Sequence, residues 1–225
     1  MPIISFSLWG NNERYTLGAI ANGELAKIVY PGWDCWFWVG ADVDDNIQAT
    51  LKGLGRVLEM PPGNWTSMFW RFFPAAYNEP VIVRDVDSRL SFRERMAVDE
   101  WLATDKLVHI MRDHQFHAIP ILGGMWGARG GILPDIYKQT KEYTDERWQI
   151  DQDFLANVVY PAIVNRACVH DEFFEKKAFP FSRRDERFFV GQAYDGQGKI
   201  LDADGNFNDY FREEHDYFRK CYGQR

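Results

Sequence analysis

Residues 81–90 have the sequence VIVRDVDSRL, and this stretch decides the fold class. Val81 to Val83 form an apolar run without polar alternation, as is typical of a sheet strand that is covered on both faces. Asp85 and Asp87 follow directly. Because ligand sites of open α/β sheets lie outside the carboxyl ends of the strands, the stretch predicts both a central strand and the edge of a site.

Short apolar runs alternate with helical spacing on both sides of this stretch. Further strands are predicted at residues 3–8, 35–39, 56–60 and 108–111. Helices are predicted at residues 18–30, 44–54, 65–73, 92–102 and 151–164. This rhythm predicts one α/β domain with a Rossmann-type, mostly parallel sheet flanked by helices. A tight loop is predicted at residues 123–127, and no element is predicted in the tail after residue 195.

Charge and composition narrow the classes of function. The 225 residues include 33 acidic and 26 basic side chains, for a net charge of -7, which disfavours a general nucleic-acid binder. Three widely spaced cysteines indicate neither a disulfide framework nor a zinc cluster. No basic and apolar leader and no apolar stretch long enough to span a membrane are present in the sequence, so a cytoplasmic protein is expected.

Four Asp-x-Asp pairs occur, and their contexts differ. The pair at residues 42 and 44 precedes a helix and is typical of capping, and the pair at 202 and 204 lies among turn-forming residues. Only Asp85 and Asp87 follow a buried strand. A spacing of two places both carboxylates on one side of an extended chain, where they could share one Mg²⁺ or Mn²⁺ with a diphosphate. A structural ion-pair network with Arg84 and Arg89 is the alternative.

Seven short motifs in order resemble those of GT-A type glycosyltransferase-like proteins of bacterial polysaccharide synthesis and large viruses. They are SFSLWG at 5–10, RY at 14–15, YPGW at 30–33, RDVDSRL at 84–90, HIMRDH at 109–114, GGMWG at 123–127 and DQDFL at 151–155. The resemblance covers residues 3–192. It implies transfer of a sugar from a UDP- or GDP-sugar to a carbohydrate acceptor. Residues 1–90 would form the nucleotide-sugar half, 91–195 the acceptor half and 196–225 a C-terminal tail.

The resemblance also implies roles for particular residues on the donor side. Asp85 and Asp87 would bind Mn²⁺ or Mg²⁺ and the diphosphate. His170 is placed like the late metal-binding histidine of glycogenin-like retaining transferases, whereas the residues alone favour a structural histidine. The remaining donor contacts are expected from Ser7, Trp9, Arg14, Tyr15, Arg84, Arg89, Gly191 and Gln192.

A second group of residues is expected to contact the donor sugar or the acceptor. Asp151 and Asp153 are similar to the Asp-Gln-Asp of the glycogenin-like enzymes and would orient the acceptor or act as a base. Arg112, Asp113 and His114 follow a strand as Arg84 and Asp85 do, which favours contacts with sugar hydroxyls. Backbone approach at Gly123 and Gly124, and stacking on Trp126, complete the expected set; an ordinary turn and a core tryptophan are the alternatives.

Two other classes of function use the same features. A metal-dependent phosphohydrolase needs the same two carboxylates but activates water instead of a sugar hydroxyl. A non-catalytic carbohydrate-binding protein would use the nine tryptophans as stacking surfaces. The first would cleave phosphate esters without an acceptor, and the second would bind glycans regardless of nucleotide sugar or chelator.

Overall fold

A computed structural model describes residues 1–223, and a sheet of seven strands forms its centre. The strands are β1 (Ile3–Leu8), β2 (Asp34–Gly40), β3 (Arg56–Met60), β4 (Val81–Arg84), β5 (Val108–Arg112), β6 (Met125–Ala128) and β7 (Ala167–Asp171). Their order across the sheet is β3-β2-β1-β4-β6-β5-β7. Only β6 runs antiparallel to its neighbours, so the predicted α/β fold with a mostly parallel sheet is confirmed.

Helical segments cover both faces of this sheet. The α-helices are α1 (Glu13–Val29), α2 (Asp45–Lys52), α3 (Phe92–Leu102), α4 (Ile136–Thr140), α5 (Ile150–Phe154), α6 (Tyr160–Ile163) and α7 (Phe207–Tyr222). A run of 3-10 turns at Trp65–Ala76, here called the 3-10 segment, precedes β4. A π turn at Leu155–Val159 joins α5 to α6, so the helix predicted at residues 151–164 is present but changes its winding along its length.

Alternate side chains of the central strands enter two separate cores. Ile3 of β1 and Val83 of β4 pack against the 3-10 segment, α4, α5 and α6. Phe6 of β1 and Ile82 of β4 pack against α1, α2 and α3 on the opposite face. Each fully buried side chain of this size contributes roughly 1.5–3 kcal/mol over its exposed state. The apolar run at residues 81–83 is therefore part of a strand that is covered on both faces.

Strands β1 and β4 form the switch point of the sheet. β1 leads through α1 to β2 on one side, whereas β4 pairs with β1 on the other side, in parallel and in register at Ile3 and Val81. At such a point the connections leave in opposite directions, so a crevice opens beyond the carboxyl ends of the two strands. This crevice is where residues 7–15 and 85–87 meet.

Two expectations about secondary structure are corrected. The loop expected at residues 123–127 is partly strand β6, which inserts antiparallel between β4 and β5. Gly127 permits this insertion, since an added Cβ there would lie 2.8 Å from the carbonyl oxygen of Val81. The tail contains α7, whose first turn is capped by the Asn206 side chain.

The residues of the structure that can be described include no helix that is both long and apolar enough to cross a membrane.

Candidate functional site

A cleft of about 520 Å³ lies beyond the carboxyl ends of β1 and β4. Four stretches of chain line it: residues 7–15 after β1, residues 65–71 of the 3-10 segment, residues 85–87 after β4, and residues 148–152 at the start of α5. The lining side chains include Ser7, Trp9, Arg14, Tyr15, Trp65, Met68, Arg71, Asp85, Asp87, Trp148, Asp151 and Gln152. Seven of the sequence-predicted site residues are thus brought together at the switch point.

Asn22 of α1 fixes the turn that carries Asp85 and Asp87. The buried Asn22 side chain donates to the carbonyls of Val86 and Ser88, at 3.1 and 2.8 Å, and accepts from the Leu90 amide at 3.0 Å. A buried amide that satisfies three backbone groups fixes the turn, because losing it would leave those groups without partners.

Arg89 and the C-terminal part of the chain hold the same turn from the other side. The Arg89 guanidinium donates to the carbonyl of Ser88 and to that of Asp195, both at 2.8 Å. The Tyr194 amide donates to the Asp87 carbonyl at 2.9 Å. Arg89 was expected to contact the donor, but it is 5% exposed and does not line the cleft. Its guanidinium instead satisfies carbonyls that the tight turn leaves unpaired.

Arg71 of the 3-10 segment links two carboxylates across the cleft. One guanidinium nitrogen lies 2.8 Å from Asp85 Oδ1 and another lies 2.8 Å from Asp151 Oδ2. Asp151 is buried, whereas the side chain of Asp85 is 40% exposed. The arginine therefore sets the position of Asp85 relative to Asp151 from within the wall of the cleft.

Gly123 and Gly124 lie directly behind these two carboxylates. An added Cβ at Gly124 would lie 2.1 Å from Asp85 Oδ2, and one at Gly123 would lie 2.6 Å from Asp151 Oδ2. Neither glycine lines the cleft. The close approach expected at this pair does occur, but the approaching groups are the carboxylates of the chain itself. The absence of side chains here lets Asp85 and Asp151 occupy their places.

Arg14, in the first turn of α1, pairs with Asp87 at 2.5 Å. Burial raises the pKa of Asp87, and the nearby charge of Asp85 raises it further, while Arg14 opposes the change. Burial also raises the pKa of Asp151, and Arg71 opposes that shift. Asp87 is thus a partly desolvated carboxylate beside the more exposed Asp85, and a cation bound between them would offset the repulsion of their two negative charges.

The loop after β1 is tied to its neighbours by Asp42. Its carboxylate accepts from the backbone amides of Gly10 at 2.8 Å and Gly63 at 3.0 Å, so the loops after β1, β2 and β3 share one anchor. Gly63 packs on Trp9, and an added Cβ there would lie 2.1 Å from the Trp9 Cβ. Asp44 accepts from the Asn46 amide and caps α2, as predicted. Together these contacts position the Trp9 wall of the cleft.

Arg84 and Trp126 were expected in the site and lie in the interior instead. Arg84 is 1% exposed, and its Nε donates to Glu94 of α3 at 3.1 Å. Trp126 of β6 is completely buried beside Phe72, with ring centroids 5.5 Å apart. A ring without accessible faces has no surface for a sugar, so the stacking role expected for Trp126 is corrected. The alternative of a core tryptophan holds.

Arg112, Asp113 and His114 do not reach the cleft. Arg112 and Asp113 lie at the carboxyl ends of β5 and β7 in a group of paired charges, here called the buried ion-pair cluster and made of Arg93, Arg112, Asp113, Asp171 and Arg183. Asp113 is completely buried and pairs with Arg93 and Arg183. Arg112 pairs with Asp171 at 2.7 Å. His114 stacks on Phe189, 4.2 Å between ring centroids. These groups are occupied by the chain itself.

His170 of β7 is also away from the cleft. β7 is the third strand beyond β4 in the sheet, a lateral separation of about 14 Å at the usual strand spacing. Both ring nitrogens of His170 are engaged, Nδ1 with His109 Nε2 at 2.8 Å and Nε2 with Glu100 at 3.4 Å. Burial lowers the pKa of His170 and holds that of His109 well below its usual value. A structural role for His170 therefore fits its surroundings, whereas a metal-binding role does not.

Three further expected residues lie outside the cleft lining. Asp153 is on the exposed side of α5, where it pairs with Arg147. Gly191 has a positive φ of 85° and faces Met125, whose sulfur would lie 2.4 Å from an added Cβ. Gln192 is 8% exposed and donates to the Ala193 carbonyl. Asp151 is thus the member of the Asp-Gln-Asp motif whose carboxylate faces Arg71.

Arg71, Trp65 and Trp148 were not anticipated from the sequence. Arg71 does carry a signal, because it is the one charged residue in the aromatic run at residues 65–76, and an isolated charge in a buried segment needs a partner. Trp65 and Trp148 carry no comparable signal, since tryptophan is usually buried.

The cleft has ligands suited to the divalent metal that the sequence implies. Asp85 and Asp87 offer carboxylate oxygens, which Mg²⁺ and Mn²⁺ prefer. No group of three His, Cys, Asp or Glu side chains within residues 1–223 could hold a metal ion alone. The donor set suits a cation that takes its remaining ligands from a diphosphate and water, because Mg²⁺ is commonly bound by one or two carboxylates together with substrate phosphates. The residues fit such a shared site.

Comparison with known proteins finds similar folds among solved structures. No family model matches the chain, and no curated protein sequence matches it. Among solved structures, it is similar to a glycosyltransferase involved in glycosylation of the major capsid of PBCV-1, with 14% identity over 82% of this chain and 96% of that one, and a TM-score of 0.52.

Two other solved structures resemble the chain less closely. The galactosyltransferase LgtC, in complex with donor and acceptor sugar analogues, shares 15% identity over 77% of this chain and 74% of that one, at a TM-score of 0.48. The glucosyl-3-phosphoglycerate synthase of M. tuberculosis shares 11% identity over 82% and 73%, at 0.45. One structure of that synthase contains Mn²⁺ and UDP. The likeness to the PBCV-1 enzyme shows the fold: the chain has the GT-A fold of glycosyltransferases.

Proposed function

We propose that this protein is a glycosyltransferase that takes its sugar from a nucleoside-diphosphate sugar and transfers it to a carbohydrate acceptor. One observation carries the proposal. Asp85 and Asp87 border a cleft at the switch point of a GT-A sheet, each paired with an arginine that also borders the cleft. Open α/β sheets bind nucleotides at this point.

Asp85 and Asp87 would hold Mn²⁺ or Mg²⁺ together with the donor diphosphate. When bound, the metal would neutralise the charge that develops on the leaving diphosphate. The nucleoside would lie along residues 7–15, where Ser7, Trp9 and Tyr15 border the cleft. The close fit of the turn against α1 keeps the two carboxylates fixed, which limits the reorganisation that binding would require.

Arg14 and Arg71 would neutralise these carboxylates in the free protein and contact the donor when it binds. Each guanidinium has a buried Nε without a hydrogen-bond partner in the described chain. A guanidinium that turned toward a diphosphate would gain charged acceptors for these unused donors, and arginine matches phosphate oxygens through paired N–H groups. The two arginines are proposed as diphosphate contacts.

Asp151 would act on the sugar or the acceptor. Its carboxylate is held by Arg71 at the wall of the cleft, and the side-chain oxygen of the neighbouring Gln152 accepts from the Gly123 amide at 3.1 Å. A raised pKa suits a group that accepts a proton from a hydroxyl, because a stronger base is then present at neutral pH. Asp153 is not proposed for this role.

The predicted division into a donor half and an acceptor half stays a prediction, as does the cytoplasmic location. The cleft takes residues from both sides of the proposed boundary at residue 90, since residues 7–87 supply three of its walls and residues 148–152 the fourth. The proposed acceptor end is therefore the α5 side.

The test compares Asp87→Asn with the wild type in release of nucleoside diphosphate from a panel of UDP- and GDP-hexoses, with Mn²⁺ or with EDTA. Asp99→Asn is the matched control, because Asp99 is a partly exposed carboxylate that also pairs with an arginine, Arg95, but lies on α3 away from the cleft. We expect metal-dependent release from the wild type and the control. Asp87→Asn should lose about 10²- to 10³-fold, the order seen when one charge-stabilising group is removed.

Metal-dependent release that survives in Asp87→Asn would refute the proposed role of the pair. A wild type that liberates inorganic phosphate rapidly and without a sugar product would favour the phosphohydrolase instead. Slow release of intact nucleoside diphosphate and free sugar is expected from a transferase that lacks its acceptor.

A further inference from the structure

Two of the nine tryptophans are exposed, and both border the cleft. The side chain of Trp148 is 66% exposed and that of Trp65 is 41% exposed, whereas Trp101 and Trp126 are completely buried. Exposing an indole face to water is unfavourable, and a protein that keeps large aromatic surface exposed beside a cleft usually has a ligand for it. The mouth of the cleft thus has a surface that the donor chemistry does not explain.

The two loops that carry these rings are joined at their bases. The Asn64 amide donates to the Glu146 carboxylate at 2.7 Å, linking the residue before Trp65 to a residue two positions before Trp148. Asn64 also caps the 3-10 segment in a reciprocal pair with Ser67. Trp65 in turn meets Trp9 edge to face, with centroids 6.3 Å apart. These contacts hold the Trp65 side of the mouth in place.

Trp148 is placed by the chain that follows it. Gln149 has a left-handed backbone, with φ 64°, and its carbonyl accepts from the Gln152 amide at 3.1 Å. This sharp turn starts α5 and brings Asp151 and Gln152 into the cleft three and four residues after the tryptophan. A ligand stacked on Trp148 would therefore lie next to the carboxylate proposed to act on the acceptor.

The polar groups around the rings favour a neutral ligand. Among the described residues that line the cleft, the cationic side chains are Arg14 and Arg71, and both are paired with carboxylates. The other polar side chains on the Trp148 side are Asp151, which is paired with Arg71, and the uncharged amides of Gln149 and Gln152. Amides pair well with hydroxyl groups, and flat indole faces suit the apolar C–H face of a pyranose. An acidic ligand would find no unpaired cation there.

From these contacts we infer that Trp148 and Trp65 form an acceptor subsite for a neutral, pyranose-containing glycan. The inference rests on the proposed transferase function and specifies its acceptor. The sugar ring stacks on Trp148, its hydroxyls pair with Gln149 and Gln152, and its reacting hydroxyl faces Asp151. Trp65 forms the opposite side of the mouth and contacts a neighbouring sugar unit of the chain.

The test uses an array of neutral and acidic oligosaccharides, probed with the whole protein in the presence of UDP and Mn²⁺. Three variants are compared with the wild type: Trp148→Ala, Trp148→Tyr and Phe116→Ala. Phe116 is the matched control, because its ring is 81% exposed on a loop that does not line the cleft. Titration calorimetry with UDP and Mn²⁺ on each variant reports donor binding separately.

We expect the wild type and Phe116→Ala to bind neutral pyranose oligosaccharides alike. Trp148→Ala should lower that affinity by about tenfold, the effect of losing one aromatic contact, and Trp148→Tyr should retain most of it. UDP binding should be unchanged in all three variants.

Several results would overturn the subsite. They are wild-type binding to no neutral oligosaccharide, a preference for acidic ones, glycan binding unchanged in Trp148→Ala, or a loss of UDP affinity in that variant, which would assign the ring to the nucleotide. Failure of the proposed function is a different result: metal-dependent donor turnover would be missing in the wild type while glycan binding still depended on Trp148.

Discussion

The cleft and the buried ion-pair cluster are built from the same residue types and have different exposure. In both, an arginine ends a strand and an aspartate follows it: Arg84 and Asp85 at the end of β4, and Arg112 and Asp113 at the end of β5. The side chain of Asp85 is 40% exposed and borders a cleft of about 520 Å³, whereas Asp113 is completely buried. Residue type and position in the strand therefore do not distinguish a site from a structural network.

The difference comes from a distant part of the chain. Residues 171–190 cover the carboxyl ends of β5 and β7: the Phe181 carbonyl accepts from Arg93, the Arg183 side chain pairs with Asp113, and the Val190 amide donates to Asp113 at 3.0 Å. No such segment covers the ends of β1 and β4 within the described residues. The covering segment at residues 171–190, and not the Arg-Asp pair at the end of a strand, therefore determines which carboxylates remain available to a ligand.

The largest expected effect is on stability, from replacing one aspartate in each region. Asp113→Asn should lower the free energy of unfolding by about 3–5 kcal/mol, because it removes the completely buried charge that pairs with both Arg93 and Arg183 and leaves only the more exposed Glu172 and Glu186 as their charged partners. Asp87→Asn should leave that free energy unchanged or raise it, because burial and the charge of Asp85 already raise the pKa of Asp87. Urea unfolding at pH 7 measures both, with Asp99→Asn as the control. Equal losses in the two variants would remove the distinction between the regions.

The next effect concerns Glu214 of α7, whose side chain contacts the backbone of Arg93, a residue of the buried ion-pair cluster. Its buried carboxylate accepts from the backbone amides of Phe92 and Arg93, at 2.9 and 3.3 Å, and burial raises its pKa from 4.5 to about 7. A raised folded-state pKa adds stability that is complete below about pH 4.5 and is lost as the pH rises through about 7.

Glu214→Gln should remove this dependence, which amounts to about 3 kcal/mol between those two pH values. The measurement is the free energy of unfolding of the wild type and the variant from pH 5 to pH 8, and the difference between them should favour the variant increasingly toward pH 8. A free-energy difference that stays constant across that range would show that folding does not raise the pKa of Glu214.

The smallest effect sharpens the description of the cleft. Gly124→Ala would place a Cβ 2.1 Å from Asp85 Oδ2, so the Asp85 carboxylate must shift and its pairing with Arg71 is disturbed. We expect a cost of about 1–3 kcal/mol in stability, typical of overpacking, and weaker binding of UDP with Mn²⁺. Gly53→Ala is the control, since its backbone is right-handed helical with φ -80° and the new methyl group stays 3.3 Å from its nearest neighbour. Unaltered UDP binding in Gly124→Ala would separate Asp85 from donor binding.

The sequence predicted the framework of the fold because local patterns determine it. The strands at residues 3–8 and 56–60 have the observed bounds, and the capping pattern at Ser91 marks the start of α3. The sequence also indicated Asp85 and Asp87 as candidate site residues, because an apolar strand without polar alternation precedes them. These features depend on a few consecutive residues, so they can be recognised without knowing the rest of the structure.

The features that sequence reasoning missed depend on contacts between distant segments. The role of Arg71 is defined by Asp85 and Asp151, 14 and 80 residues further along the chain. The burial of Asp113 and the engagement of His170 depend on residues 171–190 and on Glu100, which no local pattern identifies. Strand β6 and helix α7 were also missed, because the first is short and glycine-rich and the second is strongly charged.

The central claim is that Asp85 and Asp87 together hold a divalent cation with a nucleoside diphosphate. Its most direct test is an anomalous difference map from crystals grown with Mn²⁺ and UDP, and in parallel with GDP. We expect one strong peak in the cleft, within bonding distance of both carboxylates and of diphosphate oxygens. A peak beside His170, or nucleotide in the cleft with both carboxylates still paired to Arg14 and Arg71 and no peak between them, would contradict it.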